Sequence, residues 1–99
     1  MIGYSFHPDA REEFRLAIDY YEERETTLGY QFAVEVYAAI ERTTAHPEMW
    51  PFIETGVRRC LVRRFPYGVI YHHDERNHEL IILAIMHLHR EPHYWVHRN

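Results

Sequence analysis

Four arginines surround a short apolar centre in the second half of the chain; they are Arg58, Arg59, Arg63 and Arg64. Because side chains alternate across a β-strand, we expect these guanidinium groups on both faces of a sheet, where at least one pair meets solvent or a partner. A guanidinium group binds phosphate or carboxylate through paired hydrogen bonds, so the segment is a candidate anion site. The alternative is that these arginines pair with the chain's own acidic residues or keep a strand edge soluble.

A second group of polar and aromatic side chains follows the last predicted strand. It consists of His87, His89, Arg90, His93, Tyr94, Trp95, His97 and Arg98. RNA cleavage without a metal needs a base for the 2′-hydroxyl, an acid for the leaving oxygen and a cation for the charge on phosphorus. His87, Arg90 and Tyr94 are the candidates for these roles, and Arg98 joins the candidate anion-binding arginines. The alternative is that Tyr94 and Trp95 close the core while His87 hydrogen-bonds within the sheet.

Other catalytic chemistries find little support in the sequence. Neighbouring imidazoles occur at His72-His73, His87-x-His89 and His93 with His97, but no Cys pair or His-Glu-x-x-His helix completes a ligand set. Neither a Gly-rich phosphate loop nor a Gly-x-Ser-x-Gly turn is present. Cys60, between arginines in a predicted strand, is more typical of packing than of a nucleophile. The sequence therefore predicts no metal site and no cofactor.

Charge is divided unevenly along the chain. Residues 1–54 carry 4 Arg and 11 acidic residues, a balance of −7, whereas residues 55–99 carry 7 Arg and 4 acidic residues, a balance of +3. The second half also holds seven of the nine histidines. All 11 basic residues are Arg, so a lysine general base is impossible. We expect the basic half to engage a negatively charged partner.

The hydrophobic pattern of the first half predicts one strand and a helical hairpin. Apolar residues alternate over 2–6, which indicates a short strand. Two stretches with apolar residues three or four apart follow, the first beginning at Pro8 and the second ending near Ala45, before His46-Pro47. Thr27 is the predicted cap of the second helix.

The second half predicts an ordered loop and three strands, which makes the fold class α+β with the order β-α-α-β-β-β. Met49 and Trp50 in the loop are expected to cap the core. Strands are predicted over 57–65, 67–73 and 80–88, and the solid apolar run 80–86 indicates a strand covered on both faces. Short connections make neighbouring strands antiparallel, so the N-terminal helical hairpin is expected to pack on a small, mainly antiparallel sheet. The tail from residue 90 is expected to form one or two helical turns with Tyr94 and Arg98 on one side.

Chain length and cysteine content limit the number of domains and the cellular compartment that we expect. A chain of 99 residues has room for one hydrophobic core, so residues 1–99 are expected to form a single domain. Cys60 is the one cysteine and forms no internal disulfide, and no signal peptide is apparent, so we expect the cytoplasm. The longest apolar run has seven residues, against roughly 20 for a membrane-spanning helix. No association with a membrane is expected.

The order of several short motifs resembles a known protein family. In the first half these are Phe6, Pro8 and Ala10 before Glu12-Glu13, then Tyr20-Tyr21-Glu22, Leu28-Gly29 before Phe32, His46-Pro47 and Trp50-Pro51. In the second half they are the run 58–67, then Ile70-Tyr71, Ala84-Ile85-Met86-His87 and Arg90-x-Pro92-x-Tyr94-Trp95. Together they run nearly end to end and resemble the RelE/ParE toxin superfamily, which includes the plasmid-stabilisation toxins.

The resemblance implies a growth-arresting toxin that a co-expressed antitoxin holds inactive in a hetero-oligomer. Antitoxins of this family wrap an acidic, partly disordered segment around the toxin, and many of them bind DNA. Such a segment suits an Arg-rich surface, because charge pairing and apolar burial offset the entropy of ordering it. The four arginines between residues 58 and 64 are therefore the expected antitoxin contacts, together with Arg98.

The superfamily divides by target. RelE-like members cut messenger RNA in the ribosome, typically with Lys and Arg in the central strands and a C-terminal Tyr or His, whereas ParE-like members poison DNA gyrase and need no nuclease site. This chain has no lysine, although His87, Arg90 and Tyr94 fall near the catalytic groups of His-type nucleases. Its Pro92, Tyr94 and Trp95 also fit ParE-like members. The resemblance thus favours a ParE-like gyrase poison, with a ribosome-dependent nuclease or a non-toxic antitoxin-binding module as alternatives.

Overall fold

Two helices, five strands and a short 3₁₀ turn make up the computed structural model, which describes residues 2–98. In chain order they are β1 (Gly3–Phe6), α1 (Pro8–Arg24), α2 (Leu28–Ala45), β2 (Phe52–Glu54), β3 (Val57–Leu61), β4 (Tyr67–Asp74), β5 (Glu79–His87) and the 3₁₀ turn Val96–Arg98. The predicted order β-α-α-β-β-β is confirmed, and one further strand, β2, precedes the three strands that the sequence predicts. Neither helix in this part of the chain has the length and apolar character needed to cross a membrane.

The strands form one sheet in the order β1-β5-β4-β3-β2. β1 is parallel to β5 and the other neighbouring pairs are antiparallel, so the sheet is mainly antiparallel, as predicted. These directions follow from the connections. β4 and β5 are joined by a tight turn in which the Asp74 carboxylate accepts hydrogen bonds from the backbone and side chain of Asn77, whereas both helices separate β1 from the rest of the sheet.

Local hydrogen bonds set the ends of the helical hairpin. α1 begins where the backbone N–H of Asp9 donates to Nδ1 of His7 at 3.1 Å. Thr27 occupies the N-cap position of α2, as predicted, but it has a left-handed backbone with φ of 73° and its side chain makes no capping bond. The carboxylate of Glu22 takes that role by accepting from the backbone N–H of Thr27 at 2.8 Å and of Gly29 at 3.0 Å.

The apolar stripe of the hairpin covers one face of the sheet. From the helices it consists of Ala10, Phe14, Ala17, Phe32, Val36, Ala39 and Ile40. Against it lie Cys60, Val62, Val69, Tyr71, Leu80, Ile82 and Ile85. Phe32 sits among aromatic rings, with ring centroids 4.9 Å from Tyr67 and 5.2 Å from Phe65. The spacing that predicts the helices thus also identifies their buried residues.

The tail that follows β5 closes the other face of the sheet. Its Trp95 is only 1% exposed and packs in a second cluster with Val57, Ile70, Leu83, Ala84 and Met86. The prediction that the run 80–86 is covered on both faces is therefore confirmed. The register between β4 and β5 shifts within this stretch, so that Leu83 and Ala84, although adjacent in sequence, share the second cluster.

The segment between α2 and β4 differs most from the sequence prediction. β3 ends at Leu61 rather than at Phe65, because residues 63–66 bend and Arg64 has φ of 71°. Trp50 packs against the first core cluster as predicted, but Met49 is 64% exposed, so the expectation that Met49 caps the core is wrong. β2 has only three residues and pairs irregularly with β3, which leaves no periodic signal in the sequence.

Candidate functional site

An open groove of about 910 Å³ lies between the end of α2, the loop that follows it and β3. Its lining is largely apolar and includes Ala45, Trp50, Met49 and Leu61, of which the last two are strongly exposed. Three arginines, Arg42, Arg59 and Arg63, and one acidic residue, Glu41, also line it. Apolar surface bordered by excess positive charge suits an acidic amphipathic polypeptide. Sequence reasoning missed Arg42, because it lies on a helix far from the arginine cluster.

Arg59 and Arg63 are the members of the predicted arginine cluster that remain available in this groove. Within residues 2–98, neither guanidinium group forms an ion pair or a hydrogen bond with another side chain. Gly68 on β4 makes room for the stem of Arg59, since a Cβ at Gly68 would lie 3.0 Å from the Arg59 Cγ. Arg59 and Arg63 therefore remain candidates for the expected anion site.

Arg58 and Arg64 are instead engaged with their own chain. Arg58 donates to the backbone oxygens of Glu48 at 3.1 Å and Trp50 at 2.6 Å, and it stacks 3.8 Å above the ring of Phe52. Arg64 donates to Oε1 of Gln31 at 2.8 Å. These two arginines tie the loops to the sheet and to α2. Arg64 also lies 3.9 Å from the Glu35 carboxylate, which is the kind of pairing that the alternative interpretation expects.

Arg98, a predicted anion or antitoxin contact, is engaged by the chain's own carboxylates. Its side chain is only 9% exposed, and it pairs with Oε1 of Glu13 at 3.0 Å and Oδ2 of Asp9 at 3.7 Å. It further donates to the backbone oxygen of Leu83 at 3.0 Å, while Glu13 accepts from the backbone N–H of Ile85 at 3.2 Å. The short β1 reaches only as far as Ile82, so these side chains bind the edge of β5 that no strand covers.

His87, Arg90 and Tyr94, the predicted catalytic group, do line one shallow cavity of about 270 Å³, together with Glu13. Their contacts are poor for acid-base chemistry. Arg90 stacks 3.7 Å above the ring of Tyr94 and lies 3.7 Å from Glu13. Burial raises the pKa of the Tyr94 phenol, and the Glu13 carboxylate raises it further. A buried, neutral phenol beside a carboxylate is a weak proton donor to an RNA leaving group.

An aromatic pocket adjoins His87 on its other side. It has a volume of about 420 Å³ and is lined by Tyr20, Tyr21, Arg24, Tyr67 and His87. The Arg24 guanidinium lies 4.3 Å from the Tyr20 ring centroid, and the rings of Tyr67 and His87 are 5.1 Å apart. Burial raises the pKa of Tyr67 and of Tyr21. This pocket could not be predicted from the sequence, because its residues come from α1, β4 and β5, which only the fold brings together.

Cys60 is fully buried, and burial raises the pKa of its thiol. A protonated thiol without access to solvent is not a nucleophile, so the structure agrees with a packing role.

Comparison with protein families gives a match over residues 4–92 to the model described as ParE toxin of type II toxin-antitoxin system, parDE. The chain belongs to this family. The match covers the helical hairpin, the five strands, the groove and His87, and it ends before Tyr94, Trp95 and Arg98. The RelE/ParE assignment suggested by the motifs is thereby confirmed.

A solved structure supports the same fold for this ParE-family chain. A chain of the chromosomal ParDE TA system from P. aeruginosa superposes with a TM-score of 0.60 at 19% sequence identity, covering 89% of this chain and 97% of that one. No curated protein sequence matches the chain. At 19% identity the superposition shows a shared fold, and the family assignment rests on the match over residues 4–92.

Proposed function

We propose that this ParE-family toxin arrests growth in the cytoplasm by poisoning DNA gyrase, and that an acidic antitoxin neutralises it by covering the groove between α2 and β3. Membership of the type II toxin family supports the first part, since ParE-like members of the superfamily act on gyrase. The mixture of apolar and basic side chains in the groove supports the second part.

The state of Tyr94 is the observation that favours gyrase over messenger RNA as the target. A metal-free nuclease needs an accessible acid and a cation that is free to meet phosphate. Here the phenol is buried with a raised pKa, and the Arg90 guanidinium rests on its ring, 3.7 Å from the centroid. A toxin that traps another enzyme needs neither group in a reactive state.

Purified protein tests the target directly. We expect it to inhibit supercoiling by gyrase and to accumulate cleaved DNA held by that enzyme, and we expect addition of antitoxin to reverse both effects. In cells, induction without antitoxin should block DNA synthesis and cause filamentation before protein synthesis falls. An inert supercoiling assay together with an early fall in translation would reject the gyrase proposal.

A ribosome-dependent nuclease is the second candidate, because His87 lies at the junction of two open cavities that also contain Arg24 and Arg90. This alternative predicts that His87→Ala abolishes cleavage of ribosome-bound message while antitoxin binding persists. Tyr94→Phe should have the same effect if the phenol is the acid. Harmless induction without antitoxin would reject both toxic activities and leave a module that only binds antitoxin.

A further inference from the structure

One imidazole and two carboxylates converge at the end of the molecule opposite to His87. They belong to Glu48 in the loop after α2, His73 near the end of β4, and Glu75 in the β4–β5 turn, and their ligand atoms lie within 4.8 Å of one another. A cavity of about 340 Å³ adjoins all three side chains. We infer that Glu48, His73 and Glu75 form a binding site for a divalent transition-metal ion such as Zn²⁺.

The backbone hydrogen bonds that surround Glu48 build this site. The hydroxyl of Tyr71 donates to the backbone oxygen of Pro47 at 2.7 Å, and Tyr71 and His73 are two residues apart on β4 and so share a face. On the other side, Arg58 donates to the backbone oxygen of Glu48 at 3.1 Å. The loop is therefore fixed to the sheet at both Pro47, through β4, and Glu48, through β3, which places the Glu48 carboxylate beside the imidazole of His73.

The charge at the site is uncompensated within the part of the chain that the structure describes. Neither Glu48 nor Glu75 forms an ion pair between residues 2 and 98. Arg58 is the nearby cation, but its guanidinium group is committed to two backbone oxygens and to the ring of Phe52. Two adjacent carboxylates repel each other, and a bound divalent cation removes that repulsion.

The donor set identifies the class of ion. Neutral imidazole nitrogen with two carboxylate oxygens suits Zn²⁺ and its neighbours, whereas Mg²⁺ and Ca²⁺ prefer oxygen alone. Tetrahedral Zn²⁺ with bonds of about 2.1 Å requires donors about 3.4 Å apart. The ligand atoms of the three residues lie within 4.8 Å of one another. Glu48 and Glu75 are exposed, so rotation of their side chains can bring the oxygens to the shorter distance. Three protein ligands leave one position for water.

The site is distant from His87, which lines the two cavities considered for a nuclease. In the β4–β5 register, Asp74 faces Glu79 at the metal-site end and Tyr67 faces His87 at the other. The length of β4 puts roughly 20 Å between these ends. The inference therefore stands independently of the proposed target, and the ion would fasten the loop after α2 to the β4–β5 turn.

Calorimetric titration of tag-free protein with ZnCl₂ tests the site. We expect one equivalent to bind, and we expect binding to weaken at least about tenfold in His73→Ala and in the double variant Glu48→Gln/Glu75→Gln. His89→Ala is the matched control, because His89 lies only 5.2 Å, ring to ring, from His87 and belongs to the other obvious imidazole pair. Addition of CoCl₂ should give a visible absorption band that the control retains and the two site variants lose.

Several results would overturn the inference: no binding by the wild type, unchanged affinity in both site variants, or loss of binding in His89→Ala. Circular dichroism without metal checks that the variants fold. If His73→Ala unfolds, the double variant decides, because both of its altered side chains are exposed.

Discussion

Glu13 connects three parts of the molecule. It lies on α1, is 14% exposed, and joins the backbone of β5 to Arg98 in the tail. Sequence reasoning treated Glu13 as part of a helix motif and Arg98 as a partner contact, because residue type does not reveal which charges become buried together. Removal of one partner of a buried ion pair is strongly destabilising. Here Arg90, 3.7 Å from Glu13, compensates the carboxylate only in part, because its own side chain is 54% exposed.

Arg98→Ala should therefore lower the free energy of unfolding by about 3 kcal/mol, as measured by urea denaturation. Arg15→Ala is the matched control, because Arg15 also pairs with two acidic groups, Glu12 and Asp19, but is 58% exposed. The loss of stability in this control should be much smaller, because ion pairs between exposed side chains contribute little. Equal losses in the two variants would show that Arg98 contributes no more than a surface arginine.

Tyr71 makes stability sensitive to alkaline pH. Burial raises the pKa of Tyr71 to about 12, although the Arg58 guanidinium offsets part of the effect, whereas the unfolded chain titrates near the ordinary value of about 10. Above pH 10 the unfolded chain loses this proton first, so the stabilisation is complete below pH 10 and disappears as pH rises towards 12. Urea unfolding over this range should show the decline, and Tyr71→Phe should make it shallower; an identical decline would exclude Tyr71 as a source.

The helical hairpin is the element that sequence reasoning predicted best. Its period identified the buried residues and the limits Pro8 and Ala45, because amphipathic helices repeat their apolar side chains over many turns. The three-residue β2 and the early end of β3 escaped prediction, since they depend on pairing with distant residues and on a bend at Arg64. The groove was not predicted for the same reason. Of the residues that line it, only Arg59 and Arg63 were identified from the sequence as candidate binding residues.

Gly29 tests how closely the two helices of the hairpin must approach. A Cβ at Gly29 would lie 2.5 Å from the backbone oxygen of Ile18 and 2.9 Å from the Glu22 Cβ, so one helix must move. Gly29→Ala should lower stability by about 1 to 3 kcal/mol in spite of the better helix propensity of alanine. Gly3→Ala is the control, since a Cβ there meets nothing within 4 Å, and thermal melts of both variants measure the difference. A stabilised Gly29→Ala protein would contradict the packing argument.

At the scale of the whole molecule, the acidic first half and the basic second half of the chain have different roles. The acidic first half supplies the helices that cover the sheet, and its carboxylates engage Arg98 and Arg64. Of the remaining arginines of the second half, Arg59 and Arg63 lie together where the groove meets β3. Charge at a binding surface contributes mainly to the rate of encounter and to partner choice.

Reversal of this charge should weaken the toxin-antitoxin complex. We expect Arg59→Glu/Arg63→Glu to reduce the affinity for the antitoxin encoded beside the toxin gene at least about tenfold, as measured by surface plasmon resonance. The affinity of this variant should also depend less on salt concentration. Arg76→Glu/Arg24→Glu makes the same change of charge away from the groove and should leave affinity nearly unchanged. Equal effects of the two double variants would place the antitoxin elsewhere.

The position of Trp95 also has a consequence for biosynthesis. A polypeptide released before Trp95 contains all five strands, but it lacks the tail that covers the apolar side of β5, including Leu83 and Met86. Exposed apolar strands recruit chaperones or aggregate. Messages truncated upstream of codon 95 should therefore yield proteins that proteases degrade before they can act as toxins.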